Sequence, residues 1–153
     1  MSKSKVRVGD VYEVCLPSGF SYVHVTARNK MLGVLIRVLS GIYDKPIPQF
    51  QELVSAQELY FTYMFVADFS EENGLRYIAN VFIKECEVHP LMRDGIRDPA
   101  TGRVNVWRLW DGEKEWRIGD LNESQKTLSL RQIWNCEILK RRIVDAWLPC
   151  HEI

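Results

Sequence analysis

Residues 8–16 read VGDVYEVCL, residues 17–19 read Pro-Ser-Gly, and residues 20–27 read FSYVHVTA. Both flanks are rich in β-branched and aromatic residues, which suit a pleated, half-buried surface. Proline presets φ at the first turn position and glycine tolerates the strained end, so residues 17–19 predict a hairpin turn. Pairing Leu16 with Phe20 sets a register in which Cys15 faces Ser21, Val14 faces Tyr22 and Tyr12 faces His24. Tyr12, Val14, Leu16, Phe20, Tyr22 and His24 then share one face, and Val11, Cys15, Val23 and Val25 the other. Apolar residues on both faces predict a hairpin that is covered on both sides, at least in part.

Moving outward, residues 32–39 (LGVLIRVL) are almost wholly apolar and predict a central strand. Pro46 and Pro48 break that pattern, and a short helix over residues 49–54 is expected with Pro48 near its start. Residues 60–67 (YFTYMFVA) form the strongest strand signal. A polar loop over residues 68–74 leads to an apolar run at 75–83, so these two strands are expected to form a second hairpin. Residues 84–103 hold two prolines, two glycines and several charges, and read as a long loop. Residues 104–109 and 114–118 flank Asp111-Gly112, a turn dipeptide that predicts a third hairpin. One more short strand is expected at 128–133. Asn135 is placed to cap a helix running through Trp147, with Leu139, Ile143, Ala146 and Trp147 on one apolar stripe.

The fold class is therefore α+β, mostly antiparallel β: a sheet or partly open barrel of hairpins with a C-terminal helix. The 153 residues suit one domain, expected at 8–150 behind a flexible tail at 1–7.

The formal net charge is zero, so the chain lacks the electrostatic footprint of a nucleic-acid binder. Its charge is uneven. Residues 1–50 carry seven basic against three acidic side chains, and residues 51–100 four against nine. An acidic middle third is expected to steer a partner of opposite charge. The N-terminal Met-Ser-Lys-Ser-Lys contains no apolar signal region, and no apolar run approaches ~18 residues. A cytoplasmic location without membrane contact is the expectation. Cys15, Cys86, Cys136 and Cys150 are widely spaced, which suggests free thiols, some of them buried.

The chemical motifs are weak. Cys86 and His89 have half the spacing of a zinc site, but adjacent Cys150 and His151 complete it poorly, so no metal or other cofactor is expected. Cys15 and His24 are near neighbours in the hairpin, but the register above puts them on opposite faces, against a catalytic dyad. Asp94, Asp98, Asp111, Glu113 and Glu115 can supply paired carboxylates for a hydrolase, yet carboxylates at Asp-Gly and Asp-Pro turns usually serve the turn. No catalytic residue is expected. Of the tryptophans, Trp134 and Trp147 are expected in the core and Trp110, beside a turn, at the surface.

Several stretches occur in the order found in one bacterial family. Gly9-Asp10-Val11 precedes Leu16-Pro17-Ser18-Gly19-Phe20. Residues 60–67 are followed by Gly74-Leu75-Arg76-Tyr77-Ile78-Ala79-Asn80-Val81, then Asp98-Pro99-Ala100-Thr101-Gly102 and Trp110-Asp111-Gly112. Trp134-Asn135-Cys136-Glu137 opens the closing helix. This order, spanning residues 8–147, resembles the immunity protein 26 family. The chain departs from the family pattern at Leu75 and Ala79, where Trp and Gly are usual, and at Cys136, where Pro is frequent. The resemblance implies a mostly β protein that neutralises a cognate toxin domain of a polymorphic toxin system by direct non-covalent binding. Charge and loop position then nominate Asp68, Glu71, Glu72, Asp94, Asp98 and Trp110 as partner-binding residues. The alternatives are a small hydrolase or toxin-modifying enzyme using the loop carboxylates, and a small β-barrel nucleic-acid-binding module.

Overall fold

A computed structural model of the chain describes residues 5–47 and 51–152. In chain order its elements are β1 (Asp10–Leu16), β2 (Gly19–Asn29), β3 (Gly33–Val38), α1 (Gln51–Ser55), β4 (Tyr60–Met64), β5 (Leu75–Asn80), β6 (Met92–Arg97), β7 (Val104–Trp110), β8 (Glu115–Gly119), β9 (Ser129–Leu130), β10 (Ile133–Trp134) and α2 (Cys136–Val144). They build two open sheets, one of six strands in the order β10-β4-β3-β2-β1-β5 and one of four in the order β8-β7-β6-β9. Neighbours are antiparallel except for the two-residue β9 and β10, which run parallel to β6 and β4. The fold is mostly antiparallel β with a C-terminal helix, as the sequence predicts.

The opening hairpin forms, but one residue out of the expected register. Leu16 pairs with Gly19, Cys15 with Phe20 and Tyr12 with Val23. The loop is Pro17-Ser18 alone, because Gly19 already belongs to β2. Gly19 sits at φ 147°, and a Cβ there would collide with the Tyr43 carbonyl. The adjacent Phe20 and Tyr43 exchange both backbone hydrogen bonds at 2.8 Å. A one-residue slip exchanges the faces of one strand relative to the other. Tyr12, Val14 and Leu16 therefore join Val23 and Val25 in the main core, while Val11 joins Tyr22 on the opposite face. Both faces are covered, as expected.

The main core lies between the first sheet and α2. Val34, Ile36, Val38, Tyr60, Met64, Leu75 and Trp134 pack there with Cys136 and Leu139 of the helix, and Ile143, Trp147 and Leu148 close its margin. Val6, inside the segment expected to be a tail, is 1% exposed and belongs to this core. Asn135 caps α2 as expected, accepting a hydrogen bond from the Ile138 N–H at 2.9 Å. The helix ends at Val144, short of Trp147. Ala146, at φ 53°, is the left-handed residue, with Ala146 N–H donating to Ile143 O and Trp147 N–H to Arg142 O. This two-bond termination satisfies the last carbonyls. It also turns Ala146 to solvent and leaves it out of the apolar stripe.

The reverse face of the first sheet is divided. Val11, Tyr22, Leu39 and Val54 pack under the segment between β3 and β4. Leu35 and Tyr63 pack against Met92 and Trp110 of the second sheet. Glu13, His24 and Arg37 are buried on this face, and each is matched. Glu13 accepts from Tyr22 Oη at 2.8 Å and Arg76 Nη2 at 2.9 Å. Arg37 donates to Glu58 at 2.9 Å, Val54 O at 2.8 Å and Ala56 O at 2.6 Å. The His24 Nε2 donates to Val81 O at 2.7 Å, which leaves Nδ1 to accept from Arg37 Nη1 at 3.0 Å.

Two further expectations are corrected. β4 and β5 do not form a hairpin: β4 pairs with β3 and β5 with β1, so residues 65–74 cross between separate parts of the first sheet. Residues 84–103 are not one long loop either, because they contain β6, which pairs with β7 around a bulge between Gly95 and Arg97. The short helix expected at 49–54 begins at Gln51 among the described residues, and Pro48 and Gln49 lie outside them. The strand expected at 128–133 is split in two. β9 joins the second sheet, β10 joins the first, and Arg131 and Gln132 occupy the seam.

Candidate functional site

That seam sets up the polar cluster that stands out on the surface. The Arg131 N–H donates to the Arg93 carbonyl at 2.9 Å, and the Gln132 carbonyl accepts from the Tyr63 N–H at 3.1 Å. The backbone of Arg131 is thus fixed against both sheets. Its guanidinium lies over the Trp110 ring, 4.9 Å from the centroid. Nη2 donates to Asp94 Oδ2 and Glu115 Oε2, both at 2.6 Å. Arg108 Nη1 adds an outer contact to Glu115 Oε1 at 3.5 Å. Burial disfavours the charged Arg131, but the bonds to Asp94 and Glu115 outweigh it and raise its pKa above the ordinary guanidinium value. The result is a fixed ridge of alternating charge, Asp94–Arg131–Glu115–Arg108, standing on an aromatic base.

Asp94 divides two clefts. One, of about 390 Å³, lies on β6, β7 and β8 and is lined by Ile96, Asn105, Val106, Arg108 and Arg117. The other, of about 180 Å³, is lined by Arg93, Arg97, Trp107, Arg131, Gln132 and Glu152. Arg93 is wholly buried and lies 4.7 Å from the Trp107 centroid. It donates to the carbonyls of Leu128 at 3.1 Å and Pro149 at 2.5 Å. Its Nη1 has no hydrogen-bond partner among the described residues. Across the sheet, Arg108 stands directly opposite Asp94 on one side and Arg117 on the other. Arg117 makes no ion pair among the described residues, so two like charges face each other on adjacent strands. That arrangement is destabilising in an isolated protein.

The six nominated partner-binding residues do not form one patch. Asp94 and Trp110 meet at Arg131. Asp94 is a strand residue and not a loop residue, because β6 runs through the segment read as loop. Trp110 is corrected outright. It is 7% exposed and packs with Leu35, Tyr63 and Met92 between the sheets, since it is the last residue of β7 and the Asp111-Gly112 turn begins after it. The surface tryptophan is Trp116, at 42% exposed. Asp98 is spent on its own turn, with Oδ1 accepting from the Ala100 N–H at 2.8 Å. Asp68, Glu71 and Glu72 lie in the crossing between β4 and β5. Nearby Gly74 abuts Lys140 of α2. No hydrogen bond or ion pair among the described residues connects these three to Asp94 or Asp98.

Among the described residues no three His, Cys, Asp or Glu side chains gather as a metal site requires. His89 instead pins the two sheets together. Its Nδ1 donates to Pro90 O at 2.6 Å, Tyr63 Oη donates to its Nε2 at 2.7 Å, and the ring sits edge-on to Trp110. Burial lowers the His89 pKa and pushes Tyr63 up to about 12. The Cys15–His24 argument also changes. The true register puts both on the same face, but four residues apart along the hairpin, roughly 13 Å at the rise of a strand, and His24 is held by Val81 and Arg37. All four cysteines are free, with Cys136 buried and Cys15 and Cys150 exposed. Asp111, among the carboxylates considered for hydrolysis, serves its turn: backbone bonds from Lys114 and Glu113 hold its pKa below the ordinary value.

The residues missed from sequence are Arg93, Arg108, Arg117 and Arg131. A signal for them was present. Residues 92–131 contain six arginines and only two lysines, and arginine's planar fork is the side chain suited to fixed, paired recognition.

Comparison with protein-family models, with curated proteins and with solved structures finds no match to this chain. No helix is long and apolar enough to cross a membrane among the described residues.

Proposed function

We propose that this chain is an immunity protein: a non-catalytic, cytoplasmic binding protein that neutralises a cognate bacterial toxin domain by direct non-covalent contact. The choice of a toxin as partner rests on the ordered motifs that resemble the immunity protein 26 family. The choice of direct binding rests on one observation, the fixed Asp94–Arg131–Glu115 ridge with a cleft on either side. Its side chains are held by one another and by the Trp110 ring before any partner arrives, so little conformational entropy is lost when they are engaged. The same bonds speak against the hydrolase alternative. Asp94 and Glu115 both bind Arg131, and a carboxylate locked to a guanidinium is a poor base or nucleophile.

The test is protection. The toxin domain encoded beside this gene is expressed in a heterologous bacterium with and without this chain. Growth rescued by the chain, together with a stable one-to-one complex of the purified pair, is the expected result. Toxin that is covalently altered by the chain, or rescue without any complex, would refute the reading.

A further inference from the structure

The charge on the second sheet is the opposite of what the surrounding sequence suggests. Residues 51–100 are acidic overall, and this predicted a basic partner. The acidic side chains are scattered, however, whereas the two clefts flanking Asp94 collect Arg93, Arg97, Arg108, Arg117 and Arg131 against Asp94 and Glu152. Glu115, which clamps Arg131, adds one further carboxylate at the rim. Arg108 and Arg117 face each other, and Arg117 has no acid of its own.

We infer that the cleft on β6, β7 and β8, at Arg108 and Arg117, is a docking surface for an acidic protein surface that presents Asp and Glu side chains. This deepens the binding-protein reading and rests on it. Three features select the occupant. All the basic groups are arginines, whose fork donates two parallel hydrogen bonds to a carboxylate. An incoming carboxylate would sit between Arg108 and Arg117 and remove a repulsion the fold leaves standing. Asp94 and Glu115 interrupt the basic field, so a continuous phosphate backbone would meet repulsion at each of them, whereas separate carboxylates can fit between. Exposed Ile96 lines the same cleft and gives it an apolar anchor of the kind interfaces use.

The experiment uses the full chain and labelled probes followed by fluorescence anisotropy: a ten-residue peptide rich in Asp and Glu, a ten-residue peptide rich in Lys, and a twenty-nucleotide single strand. The acidic peptide is expected to bind at low salt and to weaken as salt rises. The variant Arg108→Gln/Arg117→Gln, with folding checked by circular dichroism, is expected to lose about tenfold in affinity. Tighter binding of the Lys peptide or of the oligonucleotide would overturn the inference, as would an unchanged affinity in the folded double variant. The protection assay fails or succeeds independently. A chain that binds the acidic peptide but does not protect against the toxin contradicts the toxin reading and leaves the surface standing. A chain that protects equally well with the double substitution keeps the toxin reading and contradicts the surface.

Discussion

The two sheets treat charge in opposite ways. In the first, Glu13, His24 and Arg37 are buried, and every one is met by a designated partner: Tyr22 and Arg76, the Val81 carbonyl, and Glu58 with two α1-region carbonyls. Charge here serves the fold, because an unmatched buried polar group costs about 1–3 kcal/mol. In the second sheet Arg93 is buried with Nη1 unpartnered, and exposed Arg117 stands opposite Arg108 without an acid of its own among the described residues. Charge here goes unmatched at some cost to the isolated molecule, as is common at surfaces kept for a partner. Charge serves the fold in one sheet, and the other carries the proposed docking surface.

The largest expected effect tests the stability half of that contrast. Leu139 is fully buried between α2 and the first sheet. Leu139→Ala should cost about 2–5 kcal/mol in urea unfolding. A loss below about 0.5 kcal/mol would mean that the helix does not hold the first sheet as described.

A smaller effect sharpens it. Burial, with Arg37 alongside, lowers the His24 pKa below its ordinary 6.5. The folded state therefore favours neutral His24. This contribution is fully present above pH ~6.5 and is lost as pH falls below it, since the unfolded chain takes up the proton first. Thermal melting should fall between pH 7.5 and pH 5.5, and the His24 ring should titrate below its ordinary 6.5 by NMR. A ring that is half protonated above pH 6.5 would remove His24 from the matched interior. Acting in the same direction, His89 makes a second contribution at the junction between the sheets.

How much of this was legible in the sequence follows from which interactions are local. The strands of residues 10–38, the Asp111-Gly112 hairpin and the Asn135 cap depend on neighbouring residues, and all were readable. The hairpin register was not, because Pro-Ser-Gly fits a loop of two residues as well as three, and the bridge between Phe20 and Tyr43 joins residues far apart in the chain. The β4–β5 pairing failed for a related reason. Adjacent strands often pair, but here β1 and β3 already flank β2 and offer edges to β5 and β4. In the candidate site, Asp94 was found by charge, whereas Arg131 reaches it across 37 positions, a distance no local pattern spans. Trp110 was misplaced because the turn signal beside it reports where the chain reverses, and says nothing of the sheet that packs over the strand's last residue.

The central claim is that recognition lies on the arginine face of the second sheet, apart from the acidic crossing at Asp68, Glu71 and Glu72. The most direct measurement is the association rate of the full chain with the proposed cognate toxin domain, at low and at high salt. Two folded variants are compared, Arg108→Glu/Arg117→Glu and Asp68→Lys/Glu71→Lys/Glu72→Lys. The account predicts that the arginine variant associates about tenfold more slowly at low salt, with the difference shrinking as salt rises, and that the acidic variant stays within about twofold of the natural chain. Slower association of the acidic variant, with the arginine variant unchanged, would contradict it.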